Sequence, residues 1–379
     1  MSTMSVYVPP DLLIQILRRL PVKSLIRFTS VCKSWYFLIT NPNFITTHLN
    51  QTIASNKNQN RPLLLRYYNK DDEKEHYTLR HDDETFSRFL ELEFPFKCQL
   101  GYVRIVGSCN GLLCLSDDFF ANTNGIFLWN PSIRQSLVLP APNKPESPHM
   151  FVLGFGVDIA TNDYKVVRLV YCKQYPLHYE YPPTVEIYTV SSGLWRSLGT
   201  PGPSYGMVEL LWSQAFVNGA VHWIAFNPAG GGHNLIVSFD MGNEVFSKIM
   251  LPDALAGEHQ SNLYITVVGE CLSVFRYGIG SCCIWVMKEY GVVKSWTELV
   301  TVNLPGATDR TLGLRKNGEV LLSTTEKILA SYDPKTQQIK DLGIQGNRRS
   351  LYVDTYMETL VLLKRQNRFL EGQLHSFEW

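Results

Sequence analysis

No apolar run in this chain approaches the ~18 residues that a helix needs to cross a bilayer. The opening residues lack the charged and apolar regions of a secretory leader. A soluble protein in a reducing compartment, the cytoplasm and/or nucleus, is therefore expected. The eight cysteines form no CxxC pair and no Cys/His cluster at zinc spacing. Cys109 and Cys114 flank Asn110-Gly111, a turn signal, and read as strand thiols. Adjacent Cys282 and Cys283 point to opposite faces of a strand, which excludes a shared ligand role. Charge of one sign is also missing, with 35 basic against 34 acidic residues and a net charge of +1. Such balance gives no electrostatic case for nucleic acid or membrane, and protein is the expected partner.

Catalytic signatures are equally scarce. No HExxH or DxDxDG loop occurs. Gly230-Gly231-Gly232-His233 is followed by no GK[ST] and opens no helical pattern, so it reads as an inter-strand loop. Gly154-Phe155-Gly156 lacks the third glycine and the helix of a dinucleotide fingerprint. His222, beside Trp223 in a strand-like run, reads as a packed residue rather than a base. No catalytic residue, metal ligand or cofactor is assigned. Spacing in sequence leaves open an enzyme that gathers carboxylates from distant segments.

What is present begins at the front. Leu12, Leu13, Ile16, Leu17 and Leu20 fall on one face of a helix. Asp11 complements its start, Arg18 and Arg19 its end, and Pro21 stops it. A second stripe of Leu25, Phe28, Val31, Trp35 and Leu38 runs to Asn41-Pro42. Some 40 residues bury only a modest core alone, so a second covering surface is expected. Residues 51–61 turn polar and read as a linker between a helical domain, 1–50, and a larger domain, 62–379. If the two are independent, charge substitutions at Leu20 and Leu25 should leave the propeller's own unfolding nearly untouched.

Past the linker the periodicity becomes that of strands. Pro62–Tyr68 and His76–Arg80 read as a strand and its return, with the acidic run between them and Asp82-Asp83-Glu84 as solvated tips. A unit then recurs: an apolar strand, a turn often built on Asn-Gly, a second strand, an Asp or Asn corner and a closing Leu-Pro. Its turn positions Gly111, Asp163, Gly219, Gly269 and Gly318 are 52, 56, 50 and 49 residues apart. A period near ~50 with four short strands per unit is that of a kelch-like propeller blade, and two separate β-sandwiches are the alternative. Trp129, Trp195, Trp223, Trp285 and Trp296 recur within strands, as expected of rings that fill the gap between blades. A hydrophobic fraction of 45% suffices for such a core.

The front segment Pro9, Asp11-Leu12-Leu13, Ile16-Leu17, Arg19 through Leu25, Arg27-Phe28, Val31-Cys32-Lys33 and Trp35 closely resembles the F-box signature. Val8 stands where that family more often has leucine. The segments GSCNGLLCL, LWNPSIR, GFGVD, DYKVV and VEIYTVSSGLWRSL resemble the plant F-box-associated domain. Paired glycines typical of pure kelch blades are prominent only at Gly230–Gly232, which leaves six or seven blades. The resemblance implies an α+β multidomain chain, a three-helix F-box followed by an all-β propeller. It also implies docking on a Skp-type adaptor, and through it cullin and RING subunits of a ubiquitin ligase, with the propeller choosing a target protein. The adaptor contact would comprise Pro9, Leu12, Leu13, Ile16, Leu17, Leu20, Pro21, Val22, Leu25, Phe28, Val31 and Trp35. The loops Asp117–Gly125, Gln174–Pro183 and Pro228–Asn234 are expected to carry target contact, because loops on a rigid scaffold carry recognition. Two other classes stay open: a propeller enzyme or small-molecule sensor with a helical cap, and an F-box scaffold working outside the ligase.

Overall fold

The computed structural model describes residues 9–56, 61–96, 103–119, 122–143, 145, 147–174, 178–179, 181–207, 213–228, 232–303, 308–347 and 350–362. Four helices open it: α1 (Pro10–Leu17), α2 (Val22–Phe28), α3 (Lys33–Ile39) and α4 (Pro42–Asn56). The second apolar stripe, predicted as one helical region, is split because Cys32 is extended (φ −160°, ψ 163°) ahead of α3. The segment therefore has four helices where three were expected. The polar stretch read as a linker also begins as helix, since α4 continues to Asn56.

Six antiparallel sheets follow, which resolves the blade count to six. Blade 1 orders Tyr352–Thr355, Leu63–Asn69, Lys74–Arg80 and Arg88–Leu92 from first strand to fourth. Blades 2 to 6 span 104–138, 149–197, 206–250, 263–303 and 308–345. Every predicted turn position, from Gly111 to Gly318, sits where the first strand of a blade turns into the second. In Asn110-Gly111 both residues have positive φ (49° and 80°), the conformation that a two-residue hairpin twisting with its strands requires. The first strand of blade 1 was not anticipated. It comes from the far end of the chain and pairs Leu63 with Thr355 and Arg66 with Tyr352, so the ring is closed by its two ends.

The core is a ring of six separate inter-blade clusters. Leu64, Tyr77, Leu113 and Trp129 fill the space between blades 1 and 2. Phe275, Ile284, Leu322 and Tyr332 fill that between blades 5 and 6. Tryptophans do pack at these seams, and three also reach back one blade with the indole N–H. Trp195 Nε1 donates to Pro140 O at 2.7 Å, Trp223 to Leu153 O at 3.0 Å and Trp296 to Met250 O at 3.2 Å. The glycines that suggested a nucleotide loop belong to the same packing. A Cβ on Gly154 would meet Trp223 Cζ2 at 2.3 Å and Val221 Cγ1 at 2.9 Å.

Buried charges tie neighbouring blades. Asp82 is no solvated tip: at 8% exposure it accepts from Arg315 Nε at 3.0 Å and from the Lys316 amide at 3.0 Å, joining blade 1 to blade 6. Lys165 of blade 3 pairs with Glu244 of blade 4 at 2.9 Å. His222 is fully buried, with its ring nitrogens 3.1 Å from Ala215 O and 2.8 Å from the Tyr290 hydroxyl. It is a packed residue, as expected.

Two outcomes follow. Gly154→Val forces the Trp223 ring out of its seat, and overpacking of this kind costs about 1–3 kcal/mol, read as a lower urea midpoint at unchanged slope. Burial holds the His222 imidazole down at about 4, so the unfolded chain binds a proton that the folded chain refuses. Stability is full above the ordinary value near 6.5 and falls as pH drops from there towards 4, by up to about 3 kcal/mol. His222→Gln should flatten that part of the stability–pH profile.

Candidate functional surfaces

The helical module is built from short amphipathic turns whose inward residues meet in one cluster. Leu17, Val22, Leu25, Ile39 and Phe44 are its interior, each at 4% exposure or less. α1 has Pro10 at its first position, where the absent N–H is not needed. It ends through the Arg19-to-Ile16 and Leu20-to-Leu17 amide bonds at 3.1 and 3.0 Å. α4 lies across this corner, with His48 Nε2 3.0 Å from Leu20 O and its ring stacked on Phe44. Burial pushes the His48 imidazole below its ordinary value, partly offset by the Leu20 carbonyl.

The residues predicted as one contact face divide into three groups. Leu12, Ile16 and Val31 are open, at 48%, 48% and 62%, and Pro9 and Pro21 are exposed beside them in sequence. Leu13, Leu20, Phe28 and Trp35 are half-buried, the Phe28 and Trp35 rings meeting edge to face at 5.1 Å. Leu17, Val22 and Leu25 are sealed in the interior, which corrects their placement on the contact face. The reason is geometric: α1 is apolar on more than one side, and only the step from Leu12 to Ile16 points outward. Tyr36 and Phe37, at 48% and 65%, are exposed aromatics that the pattern missed. They fell off the second stripe because it was phased as one helix through Ser30–Cys32, where the backbone breaks.

The module is not separate from the propeller. After the closing strand, Tyr356–Leu362 runs as a strap between the helices and blade 2. Asn130 Nδ2 donates to Thr359 O at 2.9 Å and Val361 O at 2.8 Å. The Tyr356 hydroxyl is 2.7 Å from Ser132 Oγ. Leu360, 1% exposed, enters the helical interior, and Ile133 of blade 2 packs against the same cluster. Burial raises the Glu358 carboxyl, while the Val22 amide at the start of α2 and Lys23 pull it back down. The helices and the propeller therefore share an interface. A cleft of about 310 Å³ remains at the joint, lined by Ile26, Arg27, Leu90, Glu93, Ile133 and Tyr356.

Chain direction then sorts the propeller's two ends. Turns between first and second strands, and between third and fourth, share the end that carries the helices, because Ser132, Ile133 and Gly111 at that end meet the strap. The three loops expected to contact a target all join second strands to third in blades 2, 3 and 4, so they share the opposite end. Parts of them (residues 120–121, 175–177, 180 and 229–231) lie outside the described residues. At the blade 3–4 seam of that end, the partly exposed Tyr181 and Phe226 pack around Gly206, beside Tyr205. Tyr181 falls within the expected loop Gln174–Pro183, whereas Tyr205 and Phe226 lie outside the three loops named from sequence.

Residues 8–47 match the family model of the F-box domain, and residues 85–361 that of the F-box associated beta propeller domain. The chain is similar to F-box protein At3g07870 of Arabidopsis thaliana, 30% identical across 89% of this chain and 88% of that protein. It is 28% identical to F-box protein CPR1 of the same plant, across 94% and 89% of the two. F-box/kelch-repeat protein At3g23880, also from Arabidopsis thaliana, is 30% identical across 79% and 80%.

Interior and exterior leucines should respond differently to truncation. Leu25→Ala opens a cavity in the module and costs about 2–4 kcal/mol. Leu12→Ala, on the open side, changes stability by no more than about 0.5 kcal/mol. Hydrogen exchange of α2 and α4 amides reads both.

Proposed function

Because the chain belongs to the F-box proteins that carry an F-box-associated β-propeller, we propose that it is the substrate-recognition subunit of a Skp–cullin–F-box ubiquitin ligase. In this reading it does no bond chemistry and acts in the cytoplasm and/or nucleus. A Skp-type adaptor covers the open side of the helices and links the chain to cullin and RING subunits. The loop end of the propeller holds a target protein. Catalysis by the assembly comes from proximity: an acceptor lysine held near the charged carrier gains effective concentration without any new reactive group on this chain.

The observation that carries the reading is the division of one apolar segment. Leu17, Val22 and Leu25 fill an interior, yet Leu12, Ile16, Val31, Tyr36 and Phe37 stay uncovered within the same 30 residues. Scattered exposed apolar residues need no explanation, but five on a module this small suit a partner that lays a groove over a helix pair. The separation of ends supports the second half of the reading, since a target on the loops does not compete with an adaptor on the helices.

The test is binding of a purified Skp-type adaptor to the full chain. Leu12→Asp with Ile16→Asp should lower affinity ~100-fold or more, because a central anchor typically carries about 2 kcal/mol or more. The melting temperature should be unchanged, as both side chains are already in water. Wild-type affinity in the double variant contradicts the assignment. So does a failure of the adaptor-loaded chain to support ubiquitin transfer to any captured partner.

A further inference from the structure

We propose that docking competence is gated by closure of the propeller: the helical module is completed by the strap Tyr356–Leu362, so only a chain whose last blade strand is in place presents a formed docking surface. The docking half of this inference rests on the adaptor reading above.

One contact makes the strap part of the module, and another fastens it to the ring. Leu360 sits at 1% exposure in the same cluster as Leu17, Val22 and Leu25, so its loss leaves a hole among them. Tyr356, 1% exposed, belongs to the cluster between blades 1 and 2, and its amide donates to Pro62 O at 2.8 Å. It therefore fastens the strap where the chain's two ends meet.

The strap has no hold of its own without the ring. Its carbonyls at Thr359 and Val361 are gripped by Asn130, which is fully buried in blade 2 and also accepts from the Ser132 amide at 3.0 Å. Leu362 inserts in the cluster between blades 2 and 3. The peptide unit of Met357 lies against the Asn110-Gly111 turn, where a Cβ on Gly111 would come 2.1 Å from the Met357 carbonyl oxygen. Residues 356–362 also follow directly on Tyr352–Thr355, whose pairing with Leu63–Arg66 closes blade 1. An unclosed ring thus leaves the strap unplaced, and a module of short helices without it lacks a core residue. Local stability is a property of such cooperative units, and losing one member lowers protection across the unit. The consequence is a completeness check: the helical module is finished only by residues that follow the closing strand, which keeps unclosed receptors out of the ligase.

Two full-length variants test this from opposite sides, each read by hydrogen exchange and by affinity for the purified adaptor. Asn130→Asp turns a two-bond donor into a carboxylate facing two carbonyls and touches no helix of the module. Leu360→Ala empties the strap's place in the helical interior and leaves blade 2 alone. Both should speed exchange of α2 amides and weaken adaptor binding by about tenfold or more, equal to 1.4 kcal/mol, with exchange in blades 4 and 5 unchanged. Should Asn130→Asp disturb blades 4 and 5, Leu360→Ala alone decides. Leu12→Asp serves as the contrast, lowering affinity with α2 exchange as in wild type. Unchanged α2 exchange overturns the proposal whatever the adaptor does, and faster exchange with unchanged affinity overturns the gating. Absence of adaptor binding by the wild-type chain overturns the function reading instead, while exchange still decides whether the strap completes the module.

Discussion

The ring holds because its two ends share one sheet. Leu63–Arg66 accept Tyr352–Thr355 as the first strand of blade 1, and this pairing converts five consecutive blades and an incomplete sixth into a closed circle. Closure gives each inter-blade cluster a blade on both sides. Every blade seam is then equivalent in kind: aliphatic side chains from two sheets, often a tryptophan reaching back to the previous blade, and in places a buried charge pair. Arg315 with Asp82 does for the closing seam what Lys165 with Glu244 does for blades 3 and 4. Breaking either leaves a charge in the interior, which is costly even though the intact pair adds little.

Closure also fixes the helices. The chain enters blade 1 from α4 and leaves it through the strap at the same end of the ring, so the helical module is bracketed by both. That placement leaves the second-to-third-strand loops free at the opposite end. In the proposed role, these two ends would hold a target at a set position relative to whatever covers Leu12 and Ile16. In a ligase that works by proximity, such an arrangement limits which lysines of a target come within reach.

Much of this was legible in the sequence because it depends on local periodicity. The Asn110-Gly111 and Asn218-Gly219 turns need positive φ at two successive residues, a requirement that leaves a visible Asn-Gly mark in alternate blades. The Leu12–Leu20 stripe likewise announces a helix. What was not legible depends on contacts distant in sequence. Tyr352–Thr355 is a four-residue strand whose partner lies near the front of the chain, and nothing local marks it. Leu17, Val22 and Leu25 could not be told from Leu12 and Ile16 by apolar pattern, because the pattern says that a face is covered and not by what. Asp82 looked like a loop acid until Arg315, 233 residues away, was brought beside it.

A hydrogen-exchange footprint of the full chain bound to a purified Skp-type adaptor tests the central claim most directly. Slowed exchange confined to α1 and α3, with the second-to-third-strand loops of blades 2 to 4 as open as in the free protein, is the predicted result. A footprint on those loops, or none on α1, would contradict it.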